Sequence, residues 1–273
     1  MRRALVLGLL ALTLASWSAG SIRAADSYGS YGSSGSSASK SKAGTFKGKA
    51  VKLGDGKVWS WVTLDVAGAP TAIGITLTET ALTNLPKEPL PGLMFTEHIL
   101  ALPAKASATP FTHAVLNWNP HGHIPAGVYT VPHFDFHFYM CPPKVRAAIT
   151  GTGDDLAKCS KAPPAGVLPA SFITQLPATI EPRMGNHWVD SKAPEFNGKP
   201  FTYTWVYGSY DGKVTFYEPM ITRDFLLTKP NLTADILPLG AFPAPGWYPT
   251  KFRIAYDGKA KTYTAALEGF VKR

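Results

Sequence analysis

The stretch that decides the fold is Val131-Pro132-His133-Phe134-Asp135-Phe136-His137-Phe138-Tyr139-Met140. From His133 onward its odd positions carry His, Asp, His and Tyr, and its even positions carry three phenylalanines and a methionine. Side chains on a β-strand point to opposite faces in alternation, whereas a helix would scatter both sets around its circumference. The pattern therefore predicts a strand with one aromatic face for the core and one face of metal-ligating or acid–base groups.

The rest of the chain has the features of an all-β protein. Its 24 prolines and 25 glycines punctuate short runs of β-branched and aromatic residues, and helical patterns are scarce. We predict an antiparallel sandwich or barrel-like domain with a long Pro-rich loop region over residues 142–200, which has room for a short helix near 144–150 or 154–158. The predicted strands are 57–65, 71–80, 97–102, 112–118, 128–140, 201–207, 213–221, 224–227, 251–256 and 261–270.

Three Asp-Gly pairs interrupt the predicted strands. They are Asp55-Gly56, Asp211-Gly212 and Asp257-Gly258, and each is followed by a lysine. Asp-Gly between alternating segments is a strong hairpin signal, because glycine adopts a positive φ without steric cost. We predict a tight turn at each pair.

The first 25 residues have the pattern of a secretory signal peptide, with a positive start, an apolar run from Ala4 to Trp17 and then small residues. The apolar run is shorter than the ~20 residues that a transmembrane helix needs. Residues 26–45 are rich in Ser and Gly and predict a disordered linker, and residues 46–273 predict a single β-rich domain. We expect an exported bacterial protein, periplasmic or extracellular, with no integral membrane segment after signal cleavage.

The charge of the chain indicates little about its partners. The formal charge is +9, and removal of Arg2, Arg3 and Arg23 with the signal peptide leaves +9 − 3 = +6. The remaining lysines are spread along the chain, which favours solubility and a mild preference for anionic surfaces and argues against nucleic-acid binding. The P-loop, the dinucleotide glycine fingerprint, the His-Glu-x-x-His helix and the Gly-x-Ser-x-Gly elbow do not occur.

The chain has two cysteines, Cys141 and Cys159. In an exported protein the expected arrangement is one disulfide, which would fix the exit of the organising strand. Closing a loop of this size is worth ~3 kcal/mol in the chain-entropy model. Ligation of a metal by the thiolates is the alternative, and it needs reduced cysteines.

Histidines concentrate around the organising strand. Of the seven in the chain, five fall between His113 and His137. A Gly/Pro turn that contains His121-Gly122-His123 precedes the strand and is expected to bring His121 or His123 back beside it. Imidazole and carboxylate are the usual ligands of Zn²⁺, and Cu²⁺ or Ni²⁺ would suit imidazole as well. We therefore predict a divalent transition metal, with Zn²⁺ as the default ion.

Strand geometry limits which residues can share an ion. At ~3.3 Å per residue, His133 and His137 lie ~13 Å apart, whereas residues two positions apart are separated by ~6.6 Å. The predicted ligand sets are therefore His133 with Asp135 or Asp135 with His137, joined by His121 or His123. Asp135 could instead orient a ligating imidazole.

Two remote residues complete the candidate site. His187 lies in Gly185-Asn186-His187-Trp188, and Glu218 is a carboxylate in the middle of a predicted aromatic strand. A carboxylate buried in a β core is rare unless it is paired or bound to metal. For His98 and His113 we favour structural roles, and for Tyr139 a place in the core or an interface.

The motifs around residues 121–125, 132–139, 184–188 and 217–221 resemble an uncharacterised family of exported bacterial proteins, a domain of unknown function. The resemblance spans residues 58–222, and its specific element is Pro-His-Phe-Asp-Phe-His-Phe-Tyr. It implies a β-rich domain that can form homo-oligomers, and it carries no established activity. The His-x-His spacing is also superficially similar to a cupin metal motif, but the cupin glutamate and second histidine motif are missing at the expected spacing.

Two functions follow from the sequence. The first is an exported metal-binding β-domain, and as an enzyme it would be a hydrolase in which a water activated by the metal attacks an ester, amide or lactone. Glu218 or the spare histidine would then act as the base. The second is a non-catalytic envelope protein, a binding or assembly module whose histidine face is a rigid hydrogen-bond network. The sequence does not specify a small-molecule ligand.

Overall fold

Seventeen β-strands and three short α-helices make up residues 43–273, the part of the chain that the computed structural model describes. The strands are β1 Gly44–Lys47, β2 Val51–Leu53, β3 Gly56–Leu64, β4 Pro70–Thr78, β5 Thr96–Ala101, β6 His113–Asn119, β7 His133–Tyr139, β8 Phe172–Ile173, β9 Ile180–Glu181, β10 Gly185–Asp190, β11 Tyr203–Tyr210, β12 Lys213–Thr222, β13 Asn231–Asp235, β14 Trp247–Tyr248, β15 Lys251–Asp257, β16 Thr262–Glu268 and β17 Val271–Lys272. The α-helices are α1 Pro143–Ala147, α2 Leu156–Ser160 and α3 Arg223–Leu227, and 3₁₀ turns lie at Glu79–Leu82, Ala104–Ala108, Gly153–Asp155 and Pro194–Phe196. The predicted signal peptide and residues 26–42 of the predicted linker lie outside the described residues.

Two antiparallel sheets pack face to face as a sandwich, which confirms the predicted fold class. The back sheet has the order β1-β3-β4-β16-β15-β13, with β2 paired to β3. The front sheet has the order β5-β6-β7-β12-β11-β10-β8, with β9 paired to β10. Strands β14 and β17 form a small separate ladder. Among residues 43–273 the sheets do not close into a barrel.

The organising strand lies inside the front sheet as β7, between β6 and β12. Its even residues Phe134, Phe136 and Phe138 have no exposed surface and share the main core with Ile73 and Leu77 of β4. Burying a phenylalanine side chain contributes roughly 1.5–3 kcal/mol relative to leaving it exposed. The aromatic face predicted from the alternation is therefore confirmed as the face that holds the two sheets together.

The three predicted turns are confirmed. They join β2 to β3, β11 to β12 and β15 to β16. In the second turn Asp211 has φ 48° and Gly212 has φ 76°. Two successive residues with positive φ are the geometry of a type I′ hairpin, which matches the right-handed twist of the flanking strands.

A short helix was predicted near residues 144–150 or 154–158, and the structure has one at each place, α1 and α2. The strand predicted over residues 224–227 is wrong, because these residues belong to the helix α3. The side-chain oxygen of Thr222 accepts the backbone N–H of Phe225 at 3.1 Å. This is an N-cap, and it turns the chain into a helix directly after β12. None of the helices in residues 43–273 is long and apolar enough to cross a membrane.

Two further boundaries differ from the prediction. The strand predicted over 128–140 begins only at His133, because the N–H groups of Val128 and Tyr129 donate to the carbonyl of Pro125 in a turn. The predicted long loop region contains β10, which pairs with β11 and extends the front sheet. Its first residue, Gly185, has φ +92°, and a Cβ there would lie 2.4 Å from the carbonyl oxygen of Ser209.

The predicted disulfide is wrong, because both cysteines, which lie in the described part of the chain, are unpaired and buried. Helix α2 directs the Sγ of Cys159 to Oδ2 of Asp155, at 3.6 Å. Cys141 packs instead in an apolar cluster with Phe95 and Met184. Burial raises the pKa of each thiol to about 11, so both stay protonated and unreactive at neutral pH.

Candidate metal centre

The outward face of β7 carries the histidine and carboxylate side chains, and it is as buried as the aromatic face. His133 and His137 have no exposed surface, and Asp135 is 3% exposed. The loop residues 123–129 and the segment 173–184, which includes the short strand β9, cover this face of the front sheet. Two groups of three potential ligands lie beneath that cover, each with its three ligand atoms within 4.8 Å of one another.

The first group, the Glu218 triad, consists of His137, His187 and Glu218. The Nε2 of His137 lies 3.4 Å from Oε1 of Glu218, and the Nε2 of His187 lies 3.8 Å from Oε2 of the same carboxylate. The three residues come from β7, β10 and β12, so the sheet itself sets their spacing. His187 and Glu218 were predicted as remote contributors, and the structure brings both of them to His137.

A glycine lets His187 reach across an intervening strand. Strand β11 separates β10 from β12, and its residue Gly208 stands opposite both His187 and Phe216. The Phe216 ring lies over Gly208, where an added Cβ would be 1.9 Å from the ring. The ring then meets His187 edge-on at a centroid distance of 5.3 Å. A larger residue at position 208 would therefore displace the aromatic support of the triad.

The second group, the Asp135 triad, consists of His123, His133 and Asp135. The Nε2 of His133 is 3.2 Å from Oδ1 of Asp135. The rings of His123 and His133 meet edge-on at 4.6 Å. Gly122 has φ +68°, and the N–H of His123 donates to the carbonyl of Tyr129 at 3.0 Å. The turn thus brings His123 back to β7, as predicted.

Three of the four triad imidazoles are anchored through Nδ1 to a backbone carbonyl. His123 contacts Ile124 at 2.7 Å, His133 contacts Val131 at 2.7 Å and His187 contacts Thr179 at 2.9 Å. A carbonyl oxygen only accepts, so Nδ1 must carry the proton and Nε2 keeps its lone pair in the neutral ring. This arrangement orients metal-ligating histidines in known sites.

Several buried polar atoms of the triads have no hydrogen-bond partner. They are Nε2 of His133, Oδ1 of Asp135, both ring nitrogens of His137 and Oε2 of Glu218. The contacts of His133 with Asp135 and of His137 with Glu218 therefore lack the angles of a hydrogen bond, and the contact of His187 with Glu218, at 3.8 Å, is too long for one. An unpaired buried polar group costs about 1–3 kcal/mol. These atoms therefore need a partner that residues 43–273 do not supply, such as an ordered water or an ion.

Burial controls protonation in this region. It lowers the pKa of His137 to about 3 and that of His187 to about 4, so both rings are neutral at pH 7. Burial, together with the charges of Asp135 and Glu181, raises the pKa of Glu218 well above its usual range. Burial would also raise the pKa of Asp135, but the adjacent His133 outweighs it and the pKa lies below the ordinary value.

A cavity of about 120 Å³ borders both triads. His123, Asp135, His187 and Glu218 all contribute to its wall. The rest of the wall is mainly apolar and includes Phe95, Ile124, Met184, Phe196, Val206 and Met220. No lysine or arginine of residues 43–273 lines it. For comparison, an engineered apolar cavity of ~150 Å³ binds benzene.

The structure leaves some candidates outside the triads. His121 is largely exposed and lies 3.4 Å from Glu88. His98 and His113 belong to neither triad. Tyr139 is fully buried and stacks between His113, at 4.9 Å, and His137, at 5.4 Å.

Sequence reasoning missed two residues of the site. The Nδ2 of Asn119 donates to Oδ2 of Asp135 at 2.7 Å. Glu181 lines the cavity, and burial raises its pKa to about 7. Asn119 follows the alternation of β6, which could have placed it opposite His133 had the register been known. Glu181 lies six residues before His187, in the predicted loop region. It is more than 40 residues from β7 along the chain, so no local pattern linked it to the site.

These features define an all-β sandwich with a buried histidine–carboxylate face next to an apolar cavity. The family model TTHB210-like, described as hypothetical protein TTHB210, matches residues 65–118. That segment contains strands β4 and β5 and all of β6 except Asn119, but none of the triad residues, so the match assigns them no role. No curated protein and no solved structure matches the chain significantly.

Proposed function

We propose that this chain is an exported metal-binding β-domain whose Glu218 triad holds a divalent transition ion, with Zn²⁺ as the default. The observation that carries the proposal is the convergence of His137, His187 and Glu218 with unpaired ligand atoms inside the protein. Two imidazoles and one carboxylate form a common ligand set of catalytic zinc sites, in which a fourth position stays open.

The same unpaired atoms argue against a purely structural network. A network that serves rigidity satisfies its buried donors and acceptors, because each unpaired group is destabilising. Here His137 has no hydrogen bond at either ring nitrogen. One ion would bind the Nε2 of His137, the Nε2 of His187 and a carboxylate oxygen of Glu218 at the same time. The hydrogen bonds within residues 43–273 leave the ring nitrogens of His137 and Oε2 of Glu218 unpaired.

The cavity supports hydrolysis of a small uncharged ester, amide or lactone. Apart from the triad residues its wall is mainly apolar, and no lysine or arginine of residues 43–273 lines it, which suits a neutral acyl group better than a phosphate. A bound ion polarises a carbonyl oxygen and activates water. With Glu218 committed to the triad, Asp135 and Glu181 are the carboxylates of the cavity wall that remain. Burial raises the pKa of Glu181 to about 7, which suits this residue to exchange a proton with water near neutral pH.

Metal analysis tests the proposal on protein purified without a histidine tag. We expect at least one equivalent of zinc per chain and its loss after treatment with a chelator. At a thousandfold excess over Kd, binding stabilises the fold by about 4 kcal/mol, which corresponds to a Tm about 8–16 °C higher for a domain of this size.

The matched controls are histidine variants of the same protein. His187→Ala is expected to remove the metal from the Glu218 triad together with its share of the stabilisation, and His121→Ala, on the surface, is expected to keep both. A transition-metal content below ~0.3 equivalents after reloading with Zn²⁺, with the same Tm in both variants, would contradict the proposal.

A further inference from the structure

The geometry points to a second metal ion in the Asp135 triad, so that two ions face one cavity. The inference rests on the proposed function, because the second ion is placed beside the first. His123, His133 and Asp135 bring three ligand atoms within 4.8 Å of one another. They share no residue with the Glu218 triad, and therefore an ion in one triad leaves the other still vacant.

Each residue of the Asp135 triad uses one side-chain atom in a hydrogen bond that orients it and has a second atom available to bind an ion. Nδ1 of His123 and Nδ1 of His133 donate to the carbonyls of Ile124 and Val131, each at 2.7 Å. Oδ2 of Asp135 accepts from Asn119 at 2.7 Å. The free atoms are the two Nε2 atoms and Oδ1, and two of these three have no hydrogen-bond partner. Outer contacts of this kind orient ligands toward an ion.

The two triads are neighbours along one strand. Asp135 and His137 are successive residues on the outward face of β7, and such residues are ~6.6 Å apart. His123 and Asp135 from one triad and His187 and Glu218 from the other line the same cavity. If both were bound, the two ions would supply two Lewis-acid positions that face one cavity, each held by its own triad.

The test is a titration of metal-free protein with Co²⁺, followed by visible absorption and by elemental analysis after desalting. Wild-type protein is expected to bind two equivalents. His123→Ala and Asp135→Asn should each bind one equivalent, and His187→Ala should also bind one. His121→Ala, at an exposed position two residues before His123 in the same turn, should still bind two.

The outcomes separate the two proposals. One equivalent in wild-type protein, unchanged by His123→Ala and Asp135→Asn but lost in His187→Ala, would overturn the second ion and leave the first. One equivalent that only His123→Ala and Asp135→Asn remove would overturn the Glu218 site instead, and protein that binds no cobalt would overturn both proposals. Asn119→Ala keeps all six ligands, and it is expected to weaken one of the two binding events by about 10–100-fold.

Discussion

The outward faces of the two sheets differ in what covers them, although both arise from alternation of polar and apolar residues. The back sheet faces an open groove, where Thr76 and Thr264 hydrogen-bond at 2.8 Å and the indole of Trp61 donates to Thr76 at 2.9 Å. The front sheet is closed over by loops, and beneath them His137 and Glu218 retain unpaired atoms. The threonine and tryptophan groups of the open face pair with one another, whereas the triad atoms of the covered face do not.

This contrast shows that the alternation of polar and apolar residues identifies which face of a strand is polar. Whether the polar groups of that face can pair with water depends on the segments that cover it. Water pairs any free donor or acceptor on the open face at little cost. Under a cover the same groups need a partner within the protein or a ligand. The seven histidines of the chain all belong to the front sheet or its covering loops. The two faces can be compared directly by matched substitutions.

The largest difference is expected for charge pairs. Glu97 on the front sheet pairs with Arg146 and, at 3.2 Å, with Arg183, and its side chain is 7% exposed. Glu97→Gln removes the charge that compensates the buried Arg146 guanidinium. Loss of one partner of a buried ion pair costs roughly 3–5 kcal/mol, and we expect urea unfolding to measure a loss in that range.

The matched change on the back sheet is Glu268→Gln. Glu268 lies 3.9 Å from Arg253, and the two side chains are 30% and 44% exposed. Solvent screens such a pair, so its loss is expected to cost about 0–1 kcal/mol. Equal losses in the two variants would show that the cover of the front sheet does not exclude water from Glu97.

The sequence predicted the sandwich and a long loop region, but not which residues of that region reach the triads. Alternation in residues 133–139 sufficed to place Phe136 in the core and His137 on the opposite face, because strand period is a local property. His187 could be named only as a remote candidate, since its place depends on β10 joining the sheet and on Gly208 standing opposite.

Local signals also explain the errors. Cys141 and Cys159 are unpaired because the apolar cluster holds one thiol and α2 directs the other toward Asp155. The number of residues between the two cysteines gives no information about either environment. Thr222 caps a helix where short-range propensity favoured a strand. Asn119 and Glu181 reach the site through register and loop packing, which are long-range properties. Site residues whose position depends on such long-range properties are therefore the hardest to predict from the sequence.

A smaller effect is expected in the response of the front sheet to acid. Burial lowers the pKa of His113 to about 4, with Arg146 lowering it further and Glu97 opposing. The folded pKa lies below the unfolded value of ~6.5, so between these values the unfolded chain binds the proton more readily. Stability therefore falls as pH drops from 6.5 to 4, by at most about 1.4 kcal/mol per pH unit for this group.

Chemical denaturation of metal-free protein at pH 7 and pH 5 measures this effect. His113→Gln is expected to lose less stability between these pH values than wild-type protein, and His121→Gln, on the surface, to lose as much as wild type. The metal-free state matters because ligand histidines would otherwise release metal in the same range. If the free energy of unfolding of wild-type protein and of His113→Gln changed equally with pH, His113 would have an ordinary pKa in the folded protein. Water would then reach its ring despite the stacking on Tyr139.

The smallest effect is expected on the open face of the back sheet. Thr264→Val keeps the shape and strand propensity of the side chain and removes one hydrogen bond, to Thr76. Thr76 still accepts from the indole of Trp61 and can turn to water in the groove. We expect a loss of about 0.5–1.5 kcal/mol in urea unfolding and unchanged metal content. A loss as large as that of Glu97→Gln would mean that the back sheet also depends on a closed polar network, and the contrast between the faces would then disappear.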